Sequence, residues 1–466
     1  MLRLSLAEIA AVTGGKILQG EPGLTLDSVS TDSRRIGGGE LYVALRGLRF
    51  DGHDFVADAA VRGAAAVLIQ RDVPLPGEVA AVRVEDTLPA LQALARHNRR
   101  VCGVPVIAVT GSTGKTTAKD MIAAVLAVRF RVLATTGNFN NEIGVPLTLL
   151  ELNEKHQAAV VEMGMRGPGE IARLASIAEP HGAVITNVGE THIERLGSVE
   201  NIARAKGEAL DFIDKDGFAL LNADSPYLAE QAQRCRGRVR FFGTSPAAAI
   251  RLLAYQHADG GSRNVVSVDG LEYRLELPVP GRHNAVNALA AIGAGLEMGM
   301  DFASIQQGLS RLQLSPMRQA IVDLGGVTVL NDAYNANPAS MRAALAVLKE
   351  MAGTRPTVAV LGNMFELGER AQAAHYEVGE ACAREGVGYL VTVGNLARET
   401  ARGALENGMA EDRVRPCADN EEALNALKEL LKGHEFVLVK GSRGMKMETV
   451  VAGLEQWATG QEVETP

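Results

Sequence analysis

Val109-Thr110-Gly111-Ser112-Thr113-Gly114-Lys115-Thr116-Thr117 follows a run, Val104–Thr110, that reads as a strand, and opens another, Lys115–Ala127, that reads as a helix. A Gly-Lys-Thr sequence between strand and helix is the context that a phosphate-binding loop requires. Gly111 and Gly114 let the backbone turn closely around an anion. The N–H groups of Gly114, Lys115 and Thr116 would face phosphate oxygens at the positive end of the helix. Lys115 supplies a charge for the β- and γ-phosphates, and Thr116 a hydroxyl for Mg²⁺. The general pattern asks for a glycine five residues before Gly114, where Val109 stands, so the loop is a shortened variant.

The pattern spreads outward from that loop. Arg131–Thr135, Ala158–Met163 and Ala183–Val188 read as strands; Asn141–Leu152, Gly169–Ala178 and Ser198–Ile213 read as helices. Such βαβα alternation predicts a mainly parallel sheet with helices on both faces. Between Arg240 and Pro278 the signals change to hairpins turning at Gly260-Gly261 and Asp269-Gly270. Helices are expected at Asn284–Leu296 and Asp301–Leu312, and Ser315-Pro316 reads as a boundary. Beyond it, strands at Val358–Leu361, Tyr389–Val393 and Phe436–Val439 alternate with helices near Ala339–Met351, Ala371–Arg384, Ala397–Asn407 and Glu421–Leu431. Before Val104 lies a mixed region, with strands at Leu41–Leu45, Ala66–Ile69 and Val82–Val84 and a helix at Leu88–Arg99. Cuts near residues 102 and 314 give an α/β protein of three domains. They are a mixed α/β N-terminal domain (1–102), a central P-loop mononucleotide-binding domain (103–314) and a Rossmann-like α/β C-terminal domain (315–466). A length of 466 residues agrees with that number, at roughly 150 per domain.

Composition narrows the class. Lys and Arg number 47 against 55 Asp and Glu, a net charge of −8, which argues against a general nucleic-acid binder. With 47% hydrophobic and 22% charged residues the chain folds rather than stays disordered. No apolar run approaches the roughly 20 residues of a membrane span. Ser5 and Glu8 read as a helix capping box rather than part of a leader, and Glu462–Pro466 as a frayed end. Cys102, Cys235, Cys382 and Cys417 form no CxxC pair, as expected of idle thiols in a reducing cytoplasm.

Ligands of parallel sheets gather beyond the carboxyl ends of the strands. Glu162 closes one strand there, and His192 follows the next. A carboxylate and an imidazole beside phosphates suit Mg²⁺, although each alone is also an ordinary polar loop residue. Lys206 is more informative. Ile202, Lys206, Ala209 and Ile213 form the apolar stripe of their helix, so Lys206 points inward. Burial lowers the pKa of an amine, and a neutral amine can take up CO₂ as a metal-binding carbamate. The alternative is a lysine paired to Glu162 or Glu208.

The residues Thr110–Thr117, Glu162-Met163-Gly164, Thr191-His192, Ala205-Lys206-Gly207-Glu208, Gly281–Ala288 and Asp332–Pro338 occur in one order and together resemble the Mur ligases. These are the ATP-dependent amide-forming enzymes of peptidoglycan precursor synthesis. The resemblance covers nearly the whole chain, and the shortened loop is part of it. Gly137–Pro146, Glu162–Arg166, Leu361–Gly368 and Lys440–Gly444 are similar to the branch that adds D-alanyl-D-alanine to UDP-N-acetylmuramoyl-tripeptide. The Asp-Asn-Pro-Arg run of the branch that adds diaminopimelate or lysine is absent.

The resemblance implies an N-terminal UDP-binding domain, with Ser33, Arg34, Asp51, Gly52 and His53 on the substrate, joined by Asn138, Asn140 and Asn141. ATP would lie on Gly111–Thr117, with Asn284 and Asn287 toward the adenine and Arg318, Asp332 and Asn335 closing from the C-terminal domain. Read without it, Asn284 and Asn287 are helix-surface residues and Arg318 a solvated hinge charge. Two Mg²⁺ would use Thr116, Glu162, His192 and carbamylated Lys206, with Lys115, Lys206, His192 and Arg318 serving catalysis. A cytoplasmic monomer acting on small molecules, with no nucleic acid or membrane partner, is the expectation. The alternatives are a P-loop kinase or NTPase and a nucleotide-switched binding protein.

Overall fold

The computed structural model describes residues 3–77 and 79–460, so the expectation for Glu462–Pro466 lies outside the described residues. The central unit is a nine-stranded sheet. From one edge its strands run Leu271–Leu277, Gly261–Val268, Ile250–Ala258, Arg238–Gly243, Phe218–Asn222, Gly182–Ile185, Val106–Thr110, Ala158–Glu162 and Val132–Ala134. The strands from Val132–Ala134 to Ile250–Ala258 are parallel, and the last two at the other edge antiparallel. The chain leaves Val106–Thr110, fills the edge on one side, then crosses to Gly182–Ile185 on the other. That reversal opens a crevice at the carboxyl end of Val106–Thr110, where the phosphate loop begins.

The hairpins form, with one shift. Asp259 (φ 31°) and Gly260 (φ 76°) make the first turn, not Gly260-Gly261. Gly261 belongs to its strand and must be glycine there, since a Cβ would lie 2.2 Å from the Leu277 carbonyl. Asp269 (φ 50°) and Gly270 (φ 87°) make the second turn as expected. The expected helix Ser198–Ile213 is split into an α-helix, Val199–Gly207, and a tighter 3₁₀ turn, Glu208–Phe212. Glu208 there caps another helix, accepting from Gly169 N at 2.8 Å and Ala172 N at 3.0 Å.

Two further sheets flank this one. The N-terminal sheet orders Lys16–Gln19, Ala80–Arg83, Ala66–Ile69, Leu41–Val43 and Val29–Ser30. Ser5 and Glu8 form the capping box of helix Leu6–Thr13, with Glu8 N donating to Ser5 Oγ at 3.2 Å. The third sheet orders Ala320–Asp323, Thr328–Asn331, Phe436–Lys440, Thr357–Gly362, Tyr389–Val393 and Val414–Cys417, all parallel except the first. Among the described residues, no helix is long and apolar enough to cross a membrane.

The flanking units attach differently. Leu6, Leu41 and Leu91 from the N-terminal unit share one apolar core with Val106, Leu149 and Ile171 of the central unit. Helix Thr87–Cys102 carries that joint. Its Asn98 Nδ2 donates to the carbonyls of Leu149 and Leu152, both at 2.9 Å, and Arg99 to those of Ala178 and Glu179 at 2.7 and 2.9 Å. The core of the third unit, by contrast, merges with neither of the others. Its contacts to the central unit include hydrogen bonds and ion pairs, with a few apolar contacts such as Val347 against Gly281.

The helix behind the phosphate loop, Lys115–Leu126, is pressed against helix Phe302–Ser310 at Gly308. A Cβ on Gly308 would sit 2.5 Å from Val125 Cα and 2.7 Å from the Ala124 carbonyl. Backbone cannot yield as a flexible side chain does. Gly308→Ala is therefore expected to destabilise the central unit by about 1–3 kcal/mol. Thermal unfolding reads this as a lowered melting temperature; an unchanged one would show that the helices separate freely.

Candidate active site

The phosphate loop is fixed by the segment that follows strand Gly182–Ile185. Thr113 N donates to Asn187 Oδ1 at 2.9 Å, Gly189 N to Ser112 Oγ at 2.9 Å, and Ser112 N to the Asn187 carbonyl at 3.1 Å. Gly111 (φ 153°) lies where a Cβ would come within 1.9 Å of Thr186 Oγ1, and Gly114 (φ 74°) where one would come within 2.6 Å of Asn287 Oδ1. Lys115 folds back, with Nζ 2.8 Å from the Gly111 carbonyl. Burial pushes its ammonium below its ordinary pKa; Glu162 opposes that shift and Arg318 adds to it.

Thr116 and Glu162, both buried, meet at 2.7 Å between Oγ1 and Oε2. Sheet register makes this possible, since Glu162 pairs with Val109 at the mouth of the central strand. Asn140 Nδ2 holds the other oxygen of Glu162 at 2.8 Å, and Glu162 N donates to Thr135 Oγ1 at 3.0 Å. A hydroxyl and a carboxylate beside a phosphate loop are hard oxygen donors and fit Mg²⁺, which is commonly bound through one or two carboxylates plus substrate phosphates. Among the described residues there is no group of three or more His, Cys, Asp and Glu side chains that would cage an ion on its own.

Lys206 is buried, as are Ile202, Ala209 and Ile213 of its stripe. The carboxylates that were its alternative partners are occupied: Glu162 by Thr116 and Asn140, Glu208 by Gly169 and Ala172. Burial, with a smaller push from Lys115, drives its pKa well below the ordinary lysine value. With no counter-ion among the described residues, that setting favours the neutral, nucleophilic form of the amine. His192 lies in a left-handed backbone conformation (φ 66°), with Nδ1 2.6 Å from Glu366 Oε2 of the third unit. The closeness of that imidazole is the main reason the Glu366 carboxyl titrates below its usual range.

The phosphate loop opens into a cavity of about 340 Å³ between the central and third units. Ser112 to Thr117, Asn284 and Asn287 line one wall; Arg318, Asp332 and Asn335 line the other. Asn284 and Asn287 are buried, not surface residues. Arg318 is no loose hinge charge either. Its guanidinium stacks 4.3 Å over the Tyr334 ring, and its neighbours Met317 (φ 58°) and Gln319 (φ 54°) are both left-handed.

Sequence reasoning missed several wall residues. Gln319 Nε2 lies 3.1 Å from His283 Nε2, and its Oε1 accepts from Asn284 Nδ2 at 2.7 Å. Burial pushes His283 down to about 4, against Asp332 and with Lys440, so the neutral ring can accept. Buried Lys440 is ion-paired to Asp332. Thr186, Asn187 and Asn222 also line the wall. The Thr186-Asn187 pair sat at a strand end and was legible there; nothing local marks Gln319 or Lys440.

Other expected site residues lie outside this cavity, and the structure uses many of their polar atoms internally. Arg34 is held by Asp32, which caps the short turn Ser33–Arg35 and titrates near about 2 mainly because of that bond. Asp51 Oδ1 lies 2.6 Å from Nδ1 of buried His53, whose Nε2 accepts from Gln70 N at 2.9 Å. Gly52 is packed against Leu45, where a Cβ would meet backbone at 2.8 Å. Asn141 Oδ1 caps the entry to helix Gly144–Leu150, and Asn138 is exposed.

Fold and site together define a nucleotide-dependent enzyme whose phosphate loop is roofed by a separate α/β unit. The chain belongs to the Mur ligase family. Three models match: the Mur ligase middle domain at residues 109–295, the Mur ligase glutamate ligase domain at 317–443 and the Mur ligase family catalytic domain at 25–99. It is 39% identical over 457 residues to the UDP-N-acetylmuramoyl-tripeptide–D-alanyl-D-alanine ligase of Bacillus subtilis (strain 168), covering 97% of this chain and 99% of that protein. Among solved structures it is similar to MurF from Acinetobacter baumannii, with a TM-score of 0.89, 31% identity and coverage of 97% and 99%. MurF of Thermotoga maritima in complex with ADP follows, with a TM-score of 0.81, 27% identity and coverage of 93% and 98%.

Gly114→Ala places a Cβ on Asn287 and forces a left-handed alanine, itself about 1–2 kcal/mol unfavourable. The expected result is ADP affinity weakened roughly 10-fold or more. Titration calorimetry checks it, and wild-type affinity would detach the loop from nucleotide binding.

Proposed function

We propose that the protein joins D-alanyl-D-alanine to UDP-N-acetylmuramoyl-tripeptide at the expense of ATP, in the cytoplasmic stage of peptidoglycan synthesis. The observation that carries this reading is end-to-end similarity to ligases of that name, extending over 97% of the chain at 39% identity. It carries no such weight for a kinase or a nucleotide switch. The working units are residues 1–102 for the uridine nucleotide, 103–314 for ATP and 315–466 as the closing domain, in a monomer.

A free carboxylate does not react with an amine, because O⁻ is a poor leaving group. The γ-phosphoryl of ATP is transferred to a tripeptide carboxylate oxygen and ADP leaves. The D-alanyl-D-alanine amine then attacks the acyl carbon; the C–O bond to phosphate breaks, and inorganic phosphate departs as the amine gives up its proton. The first step brings two anions together, so charge neutralisation is the main task. Lys115 in the loop and Arg318 across the cavity face that charge from opposite walls. Thr116 and Glu162 would hold one Mg²⁺, and His192 with carbamylated Lys206 a second; when bound, the ions neutralise phosphate charge and align the reacting oxygens. The stacking of Arg318 on Tyr334 and the Asp332–Lys440 pair help fix the third unit's wall. A roof closed over the site would keep water from the acyl phosphate.

The reading is tested by phosphate release measured over a panel of UDP-muramoyl peptides and candidate amines. Release is expected only with a UDP-muramoyl tripeptide and a D-amino dipeptide together. Equal turnover without them refutes ligation. Lys115→Ala is expected to lose about 10²–10³ in turnover; ATP cleavage at the wild-type rate would contradict the loop's role. Lys206→Ala is expected to be inactive and partly restored by formate or acetate, which replace the carbamate. Full activity without additive would show that the inward lysine is only structural.

A further inference from the structure

The chain crosses from the central unit to the third between helix Phe302–Ser310 and strand Ala320–Asp323. Among the described residues, 313 to 316 make no backbone–backbone hydrogen bond. Leu314 packs against the apolar core of the central unit. The polar fixed point is Ser315. Asp120 takes both of its donors, the backbone N at 2.9 Å on Oδ2 and the hydroxyl Oγ at 3.1 Å on Oδ1.

Asp120 lies on helix Lys115–Leu126, one turn after Thr116. Its side chain is only 10% exposed, and a carboxylate in that setting needs a counter-ion. Lys119, itself buried, supplies one, with Nζ 2.5 Å from Asp120 Oδ1. The Lys119 ammonium also donates to the Thr135 carbonyl at 2.9 Å, and Thr135 Oγ1 accepts from Glu162 N at 3.0 Å. Such a pair adds little to stability, because desolvation offsets its attraction. What it fixes is a geometry.

That geometry joins two cations. Lys115 opens the helix that carries Asp120. Arg318 follows shortly after Ser315, and its guanidinium stacks on Tyr334. Arg318 adds to the burial that pushes the Lys115 ammonium down, so the two charges feel each other across the cavity. Cations held that close repel, and an anion between them relieves the repulsion.

We propose that Asp120 is a positioning residue: by holding Ser315 to the phosphate-loop helix, it sets where Arg318 meets the transferring phosphoryl group. This rests on the reading of Arg318 as a charge at that group. Both cations are then measured from one element, Lys115 at its first turn and Arg318 through the tie from Asp120 to Ser315. A displacement of about 1 Å at such a charge is enough to cost roughly 100-fold in rate.

The test uses the full chain. Phosphate release with UDP-muramoyl-tripeptide and D-alanyl-D-alanine is measured alongside ADP titration calorimetry and hydrogen exchange. D120N keeps the shape of the side chain but turns an amide nitrogen toward one of the two Ser315 donors. It is expected to lower kcat by about 10–100-fold. ADP affinity and the KM for ATP should stay within about threefold, because the phosphate loop is untouched. The peptide covering residues 311–319 should exchange faster, while helix Lys115–Leu126 keeps its protection. S315A leaves the ion pair in place, removes only the hydroxyl tie and should lose about threefold in kcat. In an R318K background D120N should cost less than about threefold further, since the charge it positions is already displaced. Equal losses from D120N with and without R318K, or wild-type kcat in either D120N or S315A, would overturn the proposal and leave the ligase reading intact. Wild-type turnover in R318A would instead remove the role of Arg318 on which it rests.

Discussion

The phosphate loop is held with no room to spare, and the rest of the site is arranged around that constraint. Thr186 and Asn287 occupy the space that any side chain at Gly111 or Gly114 would need. The loop is thereby locked between a neighbouring strand end and the first turns of helix Arg282–Glu297. Locking has a chemical purpose. Backbone N–H groups that already point at phosphate need not reorganise when charge develops in the transition state. The same packing puts Thr116 against Glu162, which fixes where an ion sits relative to the nucleotide.

Activating a carboxylate with ATP also demands that the substrate lie at one fixed distance from the loop. The two flanking units answer these demands with different interfaces. The N-terminal unit is fused to the centre through a shared apolar core and the arginines of helix Thr87–Cys102. Burial of that kind is not undone in a catalytic cycle. The third unit keeps its own core and touches the centre mainly through hydrogen bonds and ion pairs, such as Tyr255 to Glu350 at 2.6 Å, with few apolar contacts. Polar pairs exchange for water at little net cost, so the roof is held less firmly than the N-terminal unit. Met317 and Gln319, both left-handed, bracket Arg318 where the chain passes between the units.

What the amino-acid sequence reveals follows the range of the interactions. The phosphate loop, the capping box at Ser5 and Glu8 and the inward stripe at Lys206 are local patterns, and all three appear in the structure. Strand Val414–Cys417 escaped notice because its Pro416 argues against a strand, a penalty that an edge position removes. Ion pairing of Asp332 with Lys440 needs two strands that are distant in sequence to lie side by side. Gln319 joins the wall only because His283 and Asn284 flank it in space. Likewise, nothing local distinguishes a histidine that faces substrate from His53, both of whose nitrogens are spent on Asp51 and Gln70. Polar residues declare their chemistry in sequence but not their partners.

The most direct measurement follows an oxygen atom. UDP-N-acetylmuramoyl-tripeptide labelled with ¹⁸O in its terminal carboxylate is turned over with ATP and D-alanyl-D-alanine, and the released phosphate is examined by mass spectrometry. If the carboxylate is activated as an acyl phosphate, each phosphate carries one labelled oxygen from the peptide. Phosphate free of label, formed alongside the amide, would contradict the account.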